Sequence, residues 1–345
     1  MYTLKIDKIF QETEDAVTLS FKQPGLKKVK YLPGQYLSVI FRINGRRYVR
    51  PYSLSSAPGV DATLNITIKR VPGGIVSNHI VDKLSVGDIV EVMAPMGDFT
   101  IENAEISAES RIMLWGVGSG ITPLMSIAKY ALHNKLCSHV TMIYGNRNHE
   151  SVIMKDNIAD LQKLYPETFA VWHFHTKLVV DPSKPNIIQG RINPEKVLSV
   201  LSKETDLKHT SHFICGPTGL KESVKQELLK QGVLSNRIFS EDFEVVRDPK
   251  SFEDIITRTV QINFNNVVYQ VEVAKGKSIL EAGLDSLIEI PYSCQTGNCS
   301  MCKGIIVKGD VKVLGVKSND ILLNANEKLL CCSFPLTNDV EVLIN

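Results

Sequence analysis

The sequence predicts a multidomain chain: an antiparallel β-barrel or sandwich, then a parallel-sheet α/β domain, then a small α+β module at the carboxyl end. Three observations carry that expectation. Up to about residue 104, short apolar-polar alternations are broken by glycine and proline. From about Arg111, continuous apolar runs alternate with helix-like segments. After about residue 258, a hairpin pattern leads into a loop with three cysteines in nine positions. At 345 residues the chain exceeds what one ordinary core holds, which agrees with several domains.

In the first block YLSVIFRI, ATLNITIKRV and GDIVEVMAP read as strands, with turns at Pro33-Gly34, Asn44-Gly45, Pro58-Gly59 and Gly87-Asp88. GGIVSNHIVDKL reads as its one helix, with Ser77 as N-cap and Ile80, Val81 and Leu84 as the apolar stripe. In the second block RIMLWGVG, HVTMIYG, FAVWHFH and HFICGP read as buried strands. TPLMSIAKYALHNK, SVIMKDNIADLQKLY, PEKVLSVLSKE and LKESVKQELLKQG read as helices between and after them, the pattern of a doubly wound parallel sheet. The polar EVVRDPKSFEDIITR, with its Asp-Pro, reads as a linker. TVQINFNNVVYQVEVAKG is a hairpin around Asn265-Asn266, SILEAGLDSL a short helix with Ser278 as cap, and DVEVLIN a closing strand. The expected divisions are residues 1–104, 105–244, a linker at 245–258, and 259–345. No internal repeat or low-complexity tract interrupts them.

Composition excludes several classes. Hydrophobic residues make up 43% and charged residues 22%, as in a soluble globular protein, and a net charge of +2 gives no field for nucleic acid or an acidic membrane. Lys27, Lys28 and Lys30 read as a solvated loop. The segment MYTLKIDKIFQETED lacks the apolar core of a secretory signal, and no run of about eighteen apolar residues offers a membrane span. The expected compartment is the cytoplasm, where clustered thiols are metal ligands more often than disulfide partners.

Cys294, Cys299 and Cys302 give C-x4-C-x2-C, and Cys331 follows after twenty-eight residues. Zinc knuckles fit this spacing poorly, whereas the plant-type [2Fe-2S] pattern matches it. Two irons bridged by two sulfides need four thiolates, and Gly297, Gly304, Ser293, Thr296 and Ser300 are small enough for backbone to approach the sulfurs. A chance cluster of buried or reactive thiols is the alternative, and the full four-ligand spacing counts against it. Of Cys331 and Cys332, one is a ligand and the other a packed thiol.

Two further regions suggest ligands. In RPYSLSSAP, alternation puts Arg50 and Tyr52 on one face, so a cation and a ring flank one planar, phosphorylated ligand; the alternative is an edge strand with an aromatic cross-strand pair. Amides from Gly74 to Ser77 at a helix start form an anion site. WGVGSGITPL lies between a buried strand and a helix, although Gly116, Gly118 and Gly120 depart from G-x-G-x-x-G. CGPTG, Cys215 to Gly219, also follows an apolar strand, so the two turns share the crevice at the carboxyl ends of parallel strands.

RPYSLSSAP, GGIVSN, GVGSGITP, YGNRN, CGPTG and SEDF stand in the order found in the ferredoxin-NADP⁺ reductase family, which the chain resembles over nearly its whole length. PYSCQTGNCSMCKG resembles a plant-type ferredoxin fused to the carboxyl end. In module order the chain is most similar to the reductase components of bacterial multicomponent oxygenases, the phenylacetyl-CoA epoxygenase reductases in particular. The resemblance implies an antiparallel β-barrel flavin domain, an α/β parallel-sheet nucleotide domain and an α+β β-grasp ferredoxin domain. It also implies site residues. Within Arg50, Pro51, Tyr52 and Ser53, Arg50 pairs with the flavin phosphate, Tyr52 stacks on the isoalloxazine and Ser53 bonds near flavin N5. Gly74, Ile75, Val76 and Ser77 hold the pyrophosphate. Gly118, Gly120 and Thr122, with Gly216 and Pro217, line the nicotinamide dinucleotide site, and Cys215 lies close to the hydride path. Glu241 and Phe243 match an acidic-aromatic closure, in which Phe243 either shields the flavin or packs in the core. Ser53, Cys215 and Glu241 are the catalytic candidates. Arg147 meets the adenosine ribose and suits a 2′-phosphate, but NADH enzymes of the family carry arginine there too, so NADH and NADPH both stay open. CCSFP aligns so that Cys331 is the ligand and Cys332 replaces a glutamine; Cys294 and Cys299 then hold one iron, and Cys302 and Cys331 the other.

The implied path runs from NAD(P)H to flavin, to the [2Fe-2S] cluster, to an external redox protein, with an oxygenase or diiron component as the expected partner. FAD is expected over FMN because the GGIVSN helix start suits a pyrophosphate. The alternatives are a reductase for another redox protein, such as a hybrid-cluster protein, or a non-catalytic redox sensor. A monomer is expected, with no nucleic acid and no membrane as partner.

Overall fold

The computed structural model describes residues 1–23, 25, 28–177, 186–204, 206–243, 248–316 and 322–344. Lys27, the boundary at 244 and the first residues of the expected linker, 245–247, lie outside them. Contacts divide the chain into two units, Met1–Val39 with Tyr52–Asp242, and Ile40–Pro51 with Phe243–Asn345. Among the described residues no helix is long and apolar enough to cross a membrane.

Strands β1 (Tyr2–Thr13), β2 (Ala16–Lys22), β3 (Tyr36–Ile43), β4 (Arg46–Ser53), β5 (Thr63–Lys69) and β6 (Ile89–Val92) form a sheet in the order β4-β3-β6-β1-β2-β5. Chain just beyond β4 closes it on β5: Leu54 bridges Ile66, and the Ser55 N–H donates to the Asn65 carbonyl at 2.8 Å. The sheet is therefore a barrel, as the resemblance implies. Asn44 and Gly45 have φ of 52° and 77°, the left-handed pair that a two-residue hairpin between β3 and β4 requires. Helix α1 (Ile75–Lys83) follows β5. Its cap is Gly74, not the predicted Ser77. Left-handed Gly73 (φ 71°) turns the chain early, and the Ser77 hydroxyl, already in the first turn, accepts the Val71 N–H at 3.1 Å.

The second block contains β7 (Arg111–Val117), α2 (Ile121–His133), β8 (His139–Asn146), α3 (Lys155–Leu164), β9 (Phe169–His175), β10 (Ile187–Gln189), α4 (Pro194–Leu201), β11 (Thr210–Cys215), α5 (Thr218–Lys230) and β12 (Ile238–Glu241). The strands are all parallel, in the order β10-β9-β8-β7-β11-β12. Strand order reverses at β7, so the crevice of this sheet opens beyond the carboxyl ends of β7 and its neighbours. One face buries Leu124, Met125, Ile158 and Phe213, and the other Trp115, Val197, Val224 and Leu228. Helix α3 starts four residues later than the predicted Ser151, because Met154 is left-handed (φ 59°) and cannot continue a helix back toward Ser151. The Met154 N–H instead donates to Glu12 Oε2 at 2.9 Å.

The last block contains β13 (Arg258–Phe264), β14 (Val267–Val273), α6 (Ile279–Asp285), β15 (Lys303–Lys308), β16 (Val311–Val313), β17 (Glu327–Leu329), β18 (Ser333–Pro335) and β19 (Glu341–Ile344). Its sheet runs β14-β13-β19-β15-β17, with β13 and β19 parallel, and β16 pairs with β18. Asn265 and Asn266, both left-handed, make the predicted hairpin turn. Ser278 caps α6 as predicted: its hydroxyl accepts the Glu281 N–H at 3.2 Å while Glu281 accepts the Ser278 N–H at 2.7 Å. Before β13, Ile255 is buried and Phe252 meets the Phe334 ring edge-on at 5.0 Å. Residues 40–51 pack into this unit through Arg42–Glu289 at 2.8 Å, Arg46–Asp285 at 2.7 Å, and the Val49 N–H donating to Tyr292 Oη at 2.9 Å.

Candidate functional site

The cysteine loop lies between α6 and β15. Cys294, Cys302, Cys331 and Cys332 are buried and Cys299 is half-buried. Gln295 and Gly297 are left-handed, which turns successive amides inward. The Cys294 sulfur accepts the Thr296 and Asn298 N–H groups, each at 3.4 Å, and the Cys299 sulfur accepts the Cys294 N–H at 3.4 Å. A Cβ on Gly297 would lie 2.7 Å from the Cys332 sulfur and 2.8 Å from the Gly315 carbonyl oxygen, so this position takes only glycine. The thiols fall into two pairs. Cys299 donates to Cys294 and, with the Thr296 and Asn298 amides, brings it down to about 5 against the opposing effect of burial. Cys302 is pushed up by donating to Cys331 and by burial. Among the described residues no three His, Cys, Asp or Glu side chains gather about one point, as a single-ion site would need. Two thiol pairs with amides aimed at sulfur fit a two-iron cluster.

The nucleotide crevice is built from two turns. After β7, Gly118–Gly120 form a 3-10 turn into α2, and Tyr144 Oη donates to the Gly118 carbonyl at 2.8 Å. A Cβ on Gly120 would lie 2.0 Å from the Cys215 carbonyl oxygen. The two predicted turns are therefore in backbone contact. A Cβ on Gly216 would come 3.3 Å from the Val117 nitrogen, and Pro217 caps α5. First-turn amides of α2 and α5 thus open at one crevice, suited to an anion. Thr122, buried in the first turn of α2, donates to the Ser119 carbonyl at 3.0 Å. Gly116, Cys215 and Glu241 stand in register across β7, β11 and β12. Burial, then Glu241 and Asp242, raise the Cys215 thiol well above its ordinary value, so it stays protonated. Arg147 is exposed just beyond β8, its N–H held by Ser151 Oγ at 3.1 Å.

On β4, Tyr48, Arg50 and Tyr52 alternate with buried Val49 and Ser53, as predicted for one face. Arg50 donates to the Val49 carbonyl at 2.8 Å and lies 5.9 Å from the Tyr48 ring centre; Pro51 is half-buried. The segment after Ser53 is fastened to α2: Ser126 Oγ donates to the Ser56 carbonyl at 2.6 Å, and Lys129 pairs with Asp61 at 3.2 Å. At the start of α1, Val76 and Ser77 are buried and Ile75 is exposed. A Cβ on Gly74 would lie 2.7 Å from Ser77 Oγ, so the chain enters the helix closely wrapped. Phe243 is 43% exposed, which rules out simple core packing.

Sequence reasoning missed three features. Lys69 at the end of β5 reaches the nucleotide turn, its Nζ 3.9 Å from where a Gly118 Cβ would stand. Tyr31 donates to Ser56 Oγ at 2.9 Å, a buried support beneath the segment after β4. His173 and His175, at alternate positions closing β9, sit 5.9 Å apart, and both nitrogens of His175 lack a hydrogen-bond partner. The alternating HFH of FAVWHFH was their only signal.

Three families match in order: Oxidoreductase FAD-binding domain over residues 3–101, Oxidoreductase NAD-binding domain over 114–226, and 2Fe-2S iron-sulfur cluster binding domain over 262–336. The chain is 29% identical to one subunit of the 1,2-phenylacetyl-CoA epoxidase of Escherichia coli (strain K12), covering 99% of this chain and 97% of that one. It is 28% identical to the ferredoxin reductase component of 3-ketosteroid-9-alpha-monooxygenase of Rhodococcus rhodochrous, covering 98% and 95%. Phthalate dioxygenase reductase shares the fold, with a TM-score of 0.68, 23% identity, and coverage of 100% and 97%. The chain belongs to the modular ferredoxin-NADP⁺ reductase-type electron-transfer oxidoreductases, with FAD-binding, NAD-binding and plant-type [2Fe-2S] domains in one polypeptide.

Proposed function

We propose that this reductase delivers electrons from NAD(P)H to an oxygenase component, working as a cytoplasmic monomer without membrane or nucleic-acid partners. The observation that carries the proposal is the bond from Ser126 to the Ser56 carbonyl at 2.6 Å. It fastens the helix that begins at the glycine turn to the segment that follows Ser53, so nucleotide turn and barrel strand are held in register. The epoxidase and monooxygenase assemblies named for the two relatives support an oxygenase as acceptor.

When bound, FAD takes a two-electron hydride and releases electrons singly, which is what a one-electron [2Fe-2S] cluster needs. The chain's own part is binding and orientation. Arg50 would pair with the flavin phosphate, Pro51 and Tyr52 would support its ring, and buried Ser53 would offer its hydroxyl as a hydrogen-bond partner. Gly74, Ile75, Val76 and Ser77 present amides to the pyrophosphate. Gly118, Gly120, Thr122, Gly216 and Pro217 line the dinucleotide crevice, and Arg147 meets the ribose end. Cys215, kept as a neutral thiol, and Glu241 stand at the hydride path, and the exposed Phe243 ring is available as a flavin shield. Cys294, Cys299, Cys302 and Cys331 would hold the [2Fe-2S] cluster, which passes electrons singly, with the first two on one iron and the last two on the other. The functional domains span 1–104, 105–244 and 259–345, with 245–258 between them.

Steady NAD(P)H oxidation by the flavin- and iron-loaded protein, with ferricyanide or cytochrome c as acceptor, tests the reductase function. Comparing NADH with NADPH decides the nucleotide. Capture of an oxygenase component that then turns over supports the partner, and absence of turnover with every acceptor overturns the proposal.

A further inference from the structure

The carboxyl-terminal side of the cluster loop holds one sulfur more than four-ligand coordination uses. Cys331 and Cys332 share the short 3-10 turn Leu330–Cys332, both are buried, and their sulfurs are 3.7 Å apart. Two thiolates on one tetrahedral metal, with bonds of about 2.3 Å, stand about 3.8 Å from each other. The observed separation is thus the one at which two sulfurs can face a single iron. Cys332 also belongs to the loop's own surroundings, because its sulfur lies 2.7 Å from where a Gly297 Cβ would stand, between the two amides that bond Cys294. Its backbone is anchored, with the Cys332 carbonyl accepting the Leu314 N–H at 2.9 Å, so a change at this position is a side-chain rotation.

Resting on the assignment of Cys331 as a ligand, we propose that Cys332 is a reserve ligand, able to take the place of Cys331 on the second iron. The exchange is a ligand substitution. The iron–sulfur bond to Cys331 breaks, one to Cys332 forms, and the Cys332 thiol gives its proton to the departing thiolate or to water. No electrons change hands.

The test compares iron content, visible circular dichroism and the electron paramagnetic resonance spectrum of the reduced full-length protein. The variants are Cys331→Ala, Cys331→Ser, Cys332→Ala, Cys331→Ala/Cys332→Ala and Cys331→Ser/Cys332→Ala, with bound FAD and far-ultraviolet dichroism reporting folding. Cys331→Ala should keep most of its iron with an altered spectrum, and the double alanine variant should lose it while keeping FAD. Cys331→Ala as empty as the double alanine variant, with FAD retained, overturns the proposal. If Cys331→Ala fails to fold, Cys331→Ser and Cys331→Ser/Cys332→Ala decide in its place: iron kept by the first and lost by the second supports the proposal, and equal iron in both overturns it. An empty Cys332→Ala beside an unchanged Cys331→Ala would instead show Cys332 to be the resident ligand and overturn the underlying assignment. A wild-type protein that takes up no iron would overturn the cluster itself.

Discussion

Replacing Gly120 with alanine puts a methyl carbon 2.0 Å from the Cys215 carbonyl oxygen and 2.6 Å from its carbonyl carbon. Carbon–oxygen contacts settle near about 3.3 Å, so the turns after β7 and β11 would have to separate by roughly 1.3 Å. Both partners are backbone, and no side-chain rotation can relieve the clash. Overpacking of this kind costs about 1–3 kcal/mol, which would lower the melting temperature by several degrees. The larger effect should fall on hydride transfer, since a displacement of about 1 Å at a reacting geometry costs about 100-fold. Stopped-flow reduction of the flavin by NAD(P)H should therefore slow by about two orders of magnitude. FAD content, iron content and reduction by dithionite should stay at wild-type levels, because the barrel and the cysteine loop are untouched. A Gly120→Ala protein that reduces its flavin within about threefold of the wild-type rate, with an unchanged melting temperature, would refute the claim that contact between the two turns sets the geometry.

Replacing Cys299 with serine should leave flavin reduction by NAD(P)H intact and collapse transfer to cytochrome c; equal loss of both would contradict the order of carriers. Ser278→Ala removes the hydroxyl half of the α6 capping box, leaving the backbone N–H of position 278 on Glu281, and should cost about 1 kcal/mol, read as a lower thermal midpoint of the [2Fe-2S] signal. Burial holds His212 down to about 3, where it accepts the Trp115 indole N–H at 3.3 Å, and holds His173 down to about 4. The unfolded value is about 6.5, so the unfolded chain binds more protons below it; this stabilisation is full above about pH 6.5 and is lost as the pH falls toward those values, at up to about 1.4 kcal/mol per unit per histidine. Melting temperatures should fall from pH 7 to 5, and His212→Gln should flatten that slope; parallel curves for variant and wild type would refute the assignment.

What was legible in the sequence shares a physical cause. The strands of the nucleotide domain are buried on both faces and read as continuous apolar runs, while the hairpins at Asn44-Gly45 and Asn265-Asn266 use residues that tolerate left-handed φ. Cys294, Cys299 and Cys302 stood out because C-x4-C-x2-C is a spacing that a [2Fe-2S] cluster imposes along a chain. Features set by packing between distant segments were not. Ser77 has the chemistry of a cap, but left-handed Gly73 turns the chain so that Gly74, three residues sooner, is the cap, and the hydroxyl serves Val71 instead. Ser151 also looked like the start of a helix, yet Met154 is left-handed and its amide is held by Glu12, 142 residues away. Local propensity cannot report a bond to a strand in another domain.

The same distinction explains why the glycines were better guides than the polar residues. At Gly120 and Gly297 the space for a Cβ is taken by Cys215 on β11 and by Cys332 and Gly315 beside the cysteine loop. Each glycine marks a place where two backbones meet too closely for any side chain, and such an approach leaves a signature in one residue. Lys69 and His175 reach their positions across the fold and leave no such mark. A lysine ending a strand, or a histidine in an apolar run, is chemically ordinary until the partner strand is known. The Gly118 turn gives Lys69 its meaning, because that turn brings β5 of the barrel to the mouth of the nucleotide crevice. Such meetings between segments distant along the chain are what a single sequence hides best.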